Sequence, residues 1–124
     1  MTAVSQRVPE SFVLVFLGGA MGTGLRYAAD VSVGTIGDWP AATLLVNVLG
    51  AFALGWLYAR TSSQRWRLLI GTGVLGGFTT YSALAVQTQE LLEDAPLAGI
   101  AYAAVSVAVG VLAALAGSRL GERR

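Results

Sequence analysis

From Leu68 to Gln89 the chain runs for 22 residues without a charge, yet the centre of that run reads Gly76-Gly77-Phe78-Thr79-Thr80-Tyr81-Ser82. A run of this length matches the roughly 20 apolar residues a helix needs to cross the hydrocarbon core of a bilayer. The interruption at its midpoint therefore predicts a helix broken inside a membrane. A bilayer core offers no water to loose backbone groups, so a break at that depth persists only where it is buried in protein or lines a cavity or ion site. The break points to an ion or solute path.

Composition supports the same setting. Of 124 residues, 55% are apolar and 12% charged, and the mean hydropathy is +0.66, whereas about a quarter of the residues in a soluble domain are charged. The chain reads as an all-α integral membrane protein. It has no Cys and no His, which removes disulfides, thiolate and imidazole chemistry, and the usual zinc or haem ligands. All eight cations are Arg and none lies in a basic run interleaved with aromatics, so nucleic acid is not an expected partner.

Charge-poor segments of spanning length fall at about 12–29, 41–59, 68–89 and 95–117, predicting four transmembrane helices in a single membrane domain over residues 1–124. The links, Asp30 to Pro40, Arg60 to Arg67 and Glu90 to Asp94, leave no room for a soluble domain. An N-terminal secretory signal is the poorer reading of the start, because Glu10 sits in the charged region and the apolar run outlasts a signal core.

With four spans, Arg7, Arg60, Arg65, Arg67, Arg119, Arg123 and Arg124 share one side, and only Arg26 lies near the other. The positive-inside rule then puts both termini in the cytoplasm of a multi-pass plasma-membrane protein, with Glu90, Glu93 and Asp94 outside. Four short helices enclose little volume, so association is expected. Gly18 and Gly22, and Gly110, Ala114 and Ser118, sit four apart and would let helix backbones approach closely. Such spacings are common in Gly- and Ala-rich membrane helices and add only slightly to that expectation.

Several residues carry two readings each. Asn47, the sole Asn, lies in the middle of the second span; its NH2 group can donate to an anion, or it can bond a neighbouring helix, worth about 1–2 kcal/mol at most. Tyr102, Ser106 and Gly110 follow one another at steps of four, along one stripe. The Tyr and Ser hydroxyls can form a donor track, although a Ser in a membrane helix more often bonds its own preceding turn. Arg26, near a helix end, snorkels by default to the interface. Carbonyls released at the break suit a hard monovalent cation, and a Gly-permitted kink without an ion is the alternative.

Three blocks of sequence resemble one family, the small Fluc (CrcB-like) fluoride channels. The first helix carries Gly19-Ala20-Met21-Gly22-Thr23-Gly24-Leu25-Arg26-Tyr27, the second Thr43-Leu44-Leu45-Val46-Asn47-Val48-Leu49-Gly50-Ala51-Phe52, and the third Gly73-Val74-Leu75-Gly76-Gly77-Phe78-Thr79-Thr80-Tyr81-Ser82. Their order and spacing make the match strong across nearly the whole chain. The resemblance implies a passive, fluoride-selective path, with no enzymatic chemistry, lined by Asn47, Thr80, Tyr81, Ser82, Tyr102 and Ser106, and Arg26 lending positive potential to a vestibule. It also implies an antiparallel dimer with a structural sodium ion (Na+) held at the third-helix break by the carbonyls of Gly76 and Thr79.

Two positions depart from the family pattern. Where the family has Phe-Ser-Thr-Phe after the Thr pair, this chain reads Tyr81-Ser82-Ala83-Leu84, and Gly110 stands where a further hydroxyl is expected. Leu84 lacks the positive ring edge by which an aromatic touches an anion. With the one-sided Arg distribution, these departures suggest a partner that is an oppositely oriented homologous subunit, with the homodimer as the alternative. Competing functions are a non-conducting partner subunit, a structural subunit without a pore, and a small four-helix multidrug or cation exporter. The exporter needs a titratable carboxylate inside a span, and none lies in the four segments.

Overall fold

A computed structural model of the chain describes residues 2–37 and 39–123. The order is α1 (Thr2–Val33), α2 (Ala41–Arg60), α3 (Gln64–Trp66), a π-helical stretch π1 (Arg67–Leu75), α4 (Gly76–Phe78), α5 (Tyr81–Asp94) and α6 (Pro96–Glu122). Among the described residues four helices are long and apolar enough to cross a membrane: Pro9–Val33, Ala41–Arg60, Gln64–Asp94 and Pro96–Glu122. Arg124 lies outside the described residues.

The helices overrun the apolar segments at several ends. The expected link from Glu90 to Asp94 is helical, so α5 and α6 are separated by Ala95 alone. Charged residues there are exposed and tolerate a helix; the stop comes instead from Pro96, which pushes the residue before it out of the α region. Ala95 accordingly sits at φ −148°, ψ 86°, with Pro96 opening α6, where a missing N–H is harmless.

Two pairings build the bundle. Helix α2 runs along α6, while α1 runs along π1 and α4; α5 packs on α6. Close backbone approach makes both pairings possible. A Cβ at Gly22 would run into the Val74 carbonyl and stand 2.9 Å from the Phe78 nitrogen, and one at Gly55 would meet the Ala114 carbonyl and stand 3.1 Å from the Ser118 nitrogen. Small residues thus let peptide planes of neighbouring helices touch. Gly18, Gly22, Ala114 and Ser118 are used inside the chain, whereas Gly110 has open space around it; this spacing therefore carries no argument for association.

Gly22→Ala should consequently lower the melting temperature by about 5 °C or more, from roughly 1–3 kcal/mol of overpacking, whereas Gly19→Ala, with no atom near its added methyl, should not. Fluorescence melting in detergent reads both; equal melting of the two variants would refute the packing assignment.

At one end of the bundle the Arg residues close helix termini. Arg67 donates through Nε to the Thr61 carbonyl at 2.9 Å and through Nη2 to the Tyr58 carbonyl at 3.1 Å, with its guanidinium 4.4 Å from the Tyr58 ring centroid. Arg60 donates to the Arg123 carbonyl at 3.3 Å. Carbonyls left orphaned at the C-terminal ends of α2 and α6 gain cationic donors, which also favour the negative end of a helix dipole. Across the same end, Arg65 pairs with Glu10 at 2.8 Å.

Candidate functional site at the interrupted third span

The span from Gln64 to Asp94 is not one regular helix. Its first half widens into π1, where the Gly76 N–H reaches back to the Gly71 carbonyl, five residues earlier. Helical geometry then stops at Phe78: Thr79 (φ −81°, ψ 159°) and Thr80 (φ −148°, ψ 116°) are extended, and α5 resumes at Tyr81. The interruption is narrower than the Gly76–Ser82 segment, since Gly76–Phe78 and Tyr81–Ser82 are themselves helical.

Every break in a helix frees backbone groups that need partners, and side chains supply several here. Thr79 Oγ1 donates back to the Leu75 carbonyl at 2.9 Å, beside the Thr79 N–H at 3.0 Å. Thr80 Oγ1 caps α5 by accepting the Ala83 N–H at 3.1 Å and lies 3.3 Å from the Ser82 hydroxyl. Arg26 donates through Nε to the Gly77 carbonyl at 3.2 Å. It does not simply snorkel to the interface: its positive charge reaches across from α1 to the C-terminal end of α4, where the helix dipole favours it.

Asn47 makes the most specific contact. Its Oδ1 accepts the Thr80 N–H at 2.7 Å, and its Nδ2 donates to the Thr80 carbonyl at 3.0 Å. Both ends of the amide are spent on one residue of the break, and one of the two Nδ2 hydrogens is left over. In a continuous helix the Thr80 N–H would go to the Gly76 carbonyl and the Ala83 N–H to the Thr79 carbonyl. Asn47 and the Thr80 hydroxyl divert these donors, so the Gly76 and Thr79 carbonyls lose their helical partners.

Asn47, Gly76, Thr79, Thr80, Tyr81 and Leu84 line one open cavity of about 380 Å³. Tyr81 is 82% exposed, leaving its ring free for a contact outside the chain. Ser82 faces a different hollow, shared with Gln87 and Glu90.

Tyr102 and Ser106 lie away from this cavity, buried on α6. The Tyr102 hydroxyl donates to Gln87 Oε1 at 3.0 Å, and its ring meets Trp39 edge to face at 5.8 Å. Ser106 Oγ is buried without a hydrogen-bond partner, and so is Thr88 Oγ1 on α5. The bond to its own preceding turn, usual for a membrane-helix Ser, is not made by Ser106. Leaving such a hydroxyl buried and unpaired costs about 1–3 kcal/mol. Gln87 and Thr88 escaped the sequence reading, although two polar residues side by side near the end of an apolar run were a legible signal.

The arrangement defines a small multi-pass membrane protein with, among the described residues, four helices of spanning length and amide and hydroxyl groups gathered around Thr79 and Thr80. The chain belongs to the CrcB-like family (CrcB-like protein, Camphor Resistance), whose model matches residues 13–118. Curated relatives match over most of this chain and most of their own length. The chain is 44% identical over 121 residues to "Fluoride-specific ion channel FluC 2" of Leifsonia xyli subsp. xyli, covering 90% of this chain and 83% of the relative. It is 45% identical over 116 residues to "Fluoride-specific ion channel FluC" of Deinococcus radiodurans, with 86% and 91% covered. The Oceanobacillus iheyensis protein of that name is 37% identical over 117 residues, with 90% and 91% covered.

Proposed function

We propose that this protein is a subunit of a fluoride-selective channel that lets fluoride leave the cytoplasm down its gradient, relieving its toxicity without catalysis. The observation that carries the reading is its family membership, with relatives named as fluoride-specific ion channels along nearly their whole length. The chemistry of the chain agrees. Fluoride holds water tightly, so a path that strips it must offer replacement donors in a narrow track. The spare Nδ2 hydrogen of Asn47 and the unpaired Ser106 hydroxyl are donors of that kind, and Thr80, Tyr81 and Ser82 extend the set; Tyr102 spends its one hydroxyl hydrogen on Gln87. With its acceptor Oε1 occupied by Tyr102, the Gln87 NH2 group adds another. Arg26, bonded to the Gly77 carbonyl, adds positive potential beside the break rather than at an outer vestibule. An exporter driven by protons would need a titratable carboxylate inside a span, and none lies in the four apolar segments 12–29, 41–59, 68–89 and 95–117.

On this reading the interruption at Thr79–Thr80 sits at mid-membrane, where two subunits meet antiparallel and the exposed Tyr81 ring reaches the partner. The Gly76 and Thr79 carbonyls fit a sodium ion: they are hard oxygen ligands whose helical donors are taken by side chains. Sodium would supply a central charge that ties the two breaks together. The Arg distribution supports cytoplasmic termini and a partner of opposite orientation.

Transport tests the whole reading. The purified complex, reconstituted with an oppositely oriented homologue from the same genome if it does not assemble alone, should empty liposomes of fluoride while retaining chloride. Electrode traces no faster than empty liposomes for a folded complex would refute the channel; equal chloride release would refute selectivity.

A further inference from the structure

Asn47 touches the backbone of the break at two points on one residue, and the planarity of the peptide gives those contacts a consequence beyond the anion path. We propose that Asn47, together with the Thr80 hydroxyl, is a positioning residue for the cation at the break, setting both carbonyls that would ligate it. The inference rests on the sodium reading given above and adds which side chains make that site.

The argument runs through three bonds. The Thr79–Thr80 peptide is trans, as are all those described, so the Thr79 carbonyl points opposite to the Thr80 N–H across a rigid plane. Because the Thr80 N–H is held on Asn47 Oδ1 at 2.7 Å, the Thr79 oxygen is aimed away from Asn47. The same bond removes the N–H that a continuous helix would give to Gly76. The Nδ2 bond to the Thr80 carbonyl at 3.0 Å fixes the following peptide as well, so neither plane can rotate back. The Thr80 hydroxyl, by taking the Ala83 N–H at 3.1 Å, keeps that donor from reclaiming the Thr79 oxygen.

Without these side chains the break can regain helical hydrogen bonds, each worth about 1 kcal/mol, and the carbonyls a cation needs would be committed elsewhere. An Asn47 that served only to glue α2 to the third span need not take the Thr80 amide, the donor that competes with a cation for the Gly76 oxygen; the Thr80 hydroxyl, as the N-cap of α5, takes the Ala83 amide that competes for the Thr79 oxygen. Asn47 stands on α2 and also faces the cavity of the candidate anion path. One amide thus joins the donor side of the path to the cation side of the break.

The test is melting of the assembled complex across a sodium titration at constant ionic strength, with potassium as the balancing ion. The wild type should show a sodium-specific rise in melting temperature. Asn47→Ala should need roughly tenfold more sodium for the same rise, the equivalent of about 1.4 kcal/mol, whatever it does to the melting temperature in potassium. Thr80→Val should weaken the sodium response and Thr80→Ser restore it, while Leu84→Ala, in the same cavity but bonded to neither amide, should leave it intact.

An Asn47→Ala complex that is less stable in both salts but keeps the full sodium rise makes Asn47 mere glue and overturns the proposal. If that variant does not assemble, an undiminished sodium rise in Thr80→Val overturns it. A wild type that melts alike in sodium and potassium overturns the sodium reading and this inference with it.

Discussion

Asn47→Asp should cut fluoride flux by about a hundredfold, equivalent to about 2.7 kcal/mol on the barrier, in a complex that still assembles. The substitution keeps size and shape but changes what the side chain can do. One carboxylate oxygen can still accept the Thr80 N–H, but the other would face the Thr80 carbonyl where Nδ2 now donates at 3.0 Å. Two acceptors then oppose each other in a half-buried site, an uncompensated arrangement that costs several times a lost hydrogen bond. The spare donor hydrogen is gone as well, and a negative charge stands in the path of an anion. Fluoride efflux from liposomes, compared at equal amounts of assembled protein, measures the effect; unchanged flux would remove Asn47 from the conduction path.

A tag on the C-terminus should be accessible from the cytoplasmic face only, and this chain expressed without a homologue should give no fluoride efflux. An antiparallel dimer from one gene requires a chain that inserts both ways, hence near-balanced cations on the two sides. Here Arg7, Arg60, Arg65, Arg67, Arg119, Arg123 and Arg124 oppose Arg26 alone. Arg60 and Arg67 are further committed as caps on their own helix ends, which fixes them to one end of the bundle. In a pair of unlike subunits each path would borrow rings from both chains, so Leu84 and Gly110 could leave one path degenerate while Tyr81 serves the other. Equal labelling from both faces, or robust efflux from this chain alone, would establish the homodimer instead.

At the third span, residues close in sequence mark the weak point and distant ones repair it. A Gly pair and a Thr pair inside an uncharged run mark an interruption because they are local features, and local features set where a helix is weak. How that weakness is patched depends on residues far away in the chain: Asn47 is 33 positions from Thr80 and Arg26 is 51 from Gly77. Asn47 stands out as the sole Asn, and the sequence leaves both donor and glue open; that both ends of its amide seize one residue follows only from how α2 lies against the break. Arg26 illustrates the same point: a cation at a helix end implies snorkelling, and only the packing of α1 against α4 offers it a carbonyl. Gln87 and Thr88 were passed over because their polarity has meaning only once α5 is laid on α6.

Hydropathy and charge by themselves determined the number of spans, the all-helical class and the asymmetry of the two ends, because the cost of placing unpaired polar groups in a bilayer is large and additive along the chain. Motif order determined the family. The tertiary structure decided what each small or polar residue faces. Gly22 and Gly55 serve packing within the chain, Ser106 is buried without a partner, and the Gly76 and Thr79 carbonyls are stripped of their helical donors. The physical reason is that helix contacts in an apolar setting are won by close backbone approach and by hydrogen bonds between distant residues, and neither is written in the periodicity of a single helix.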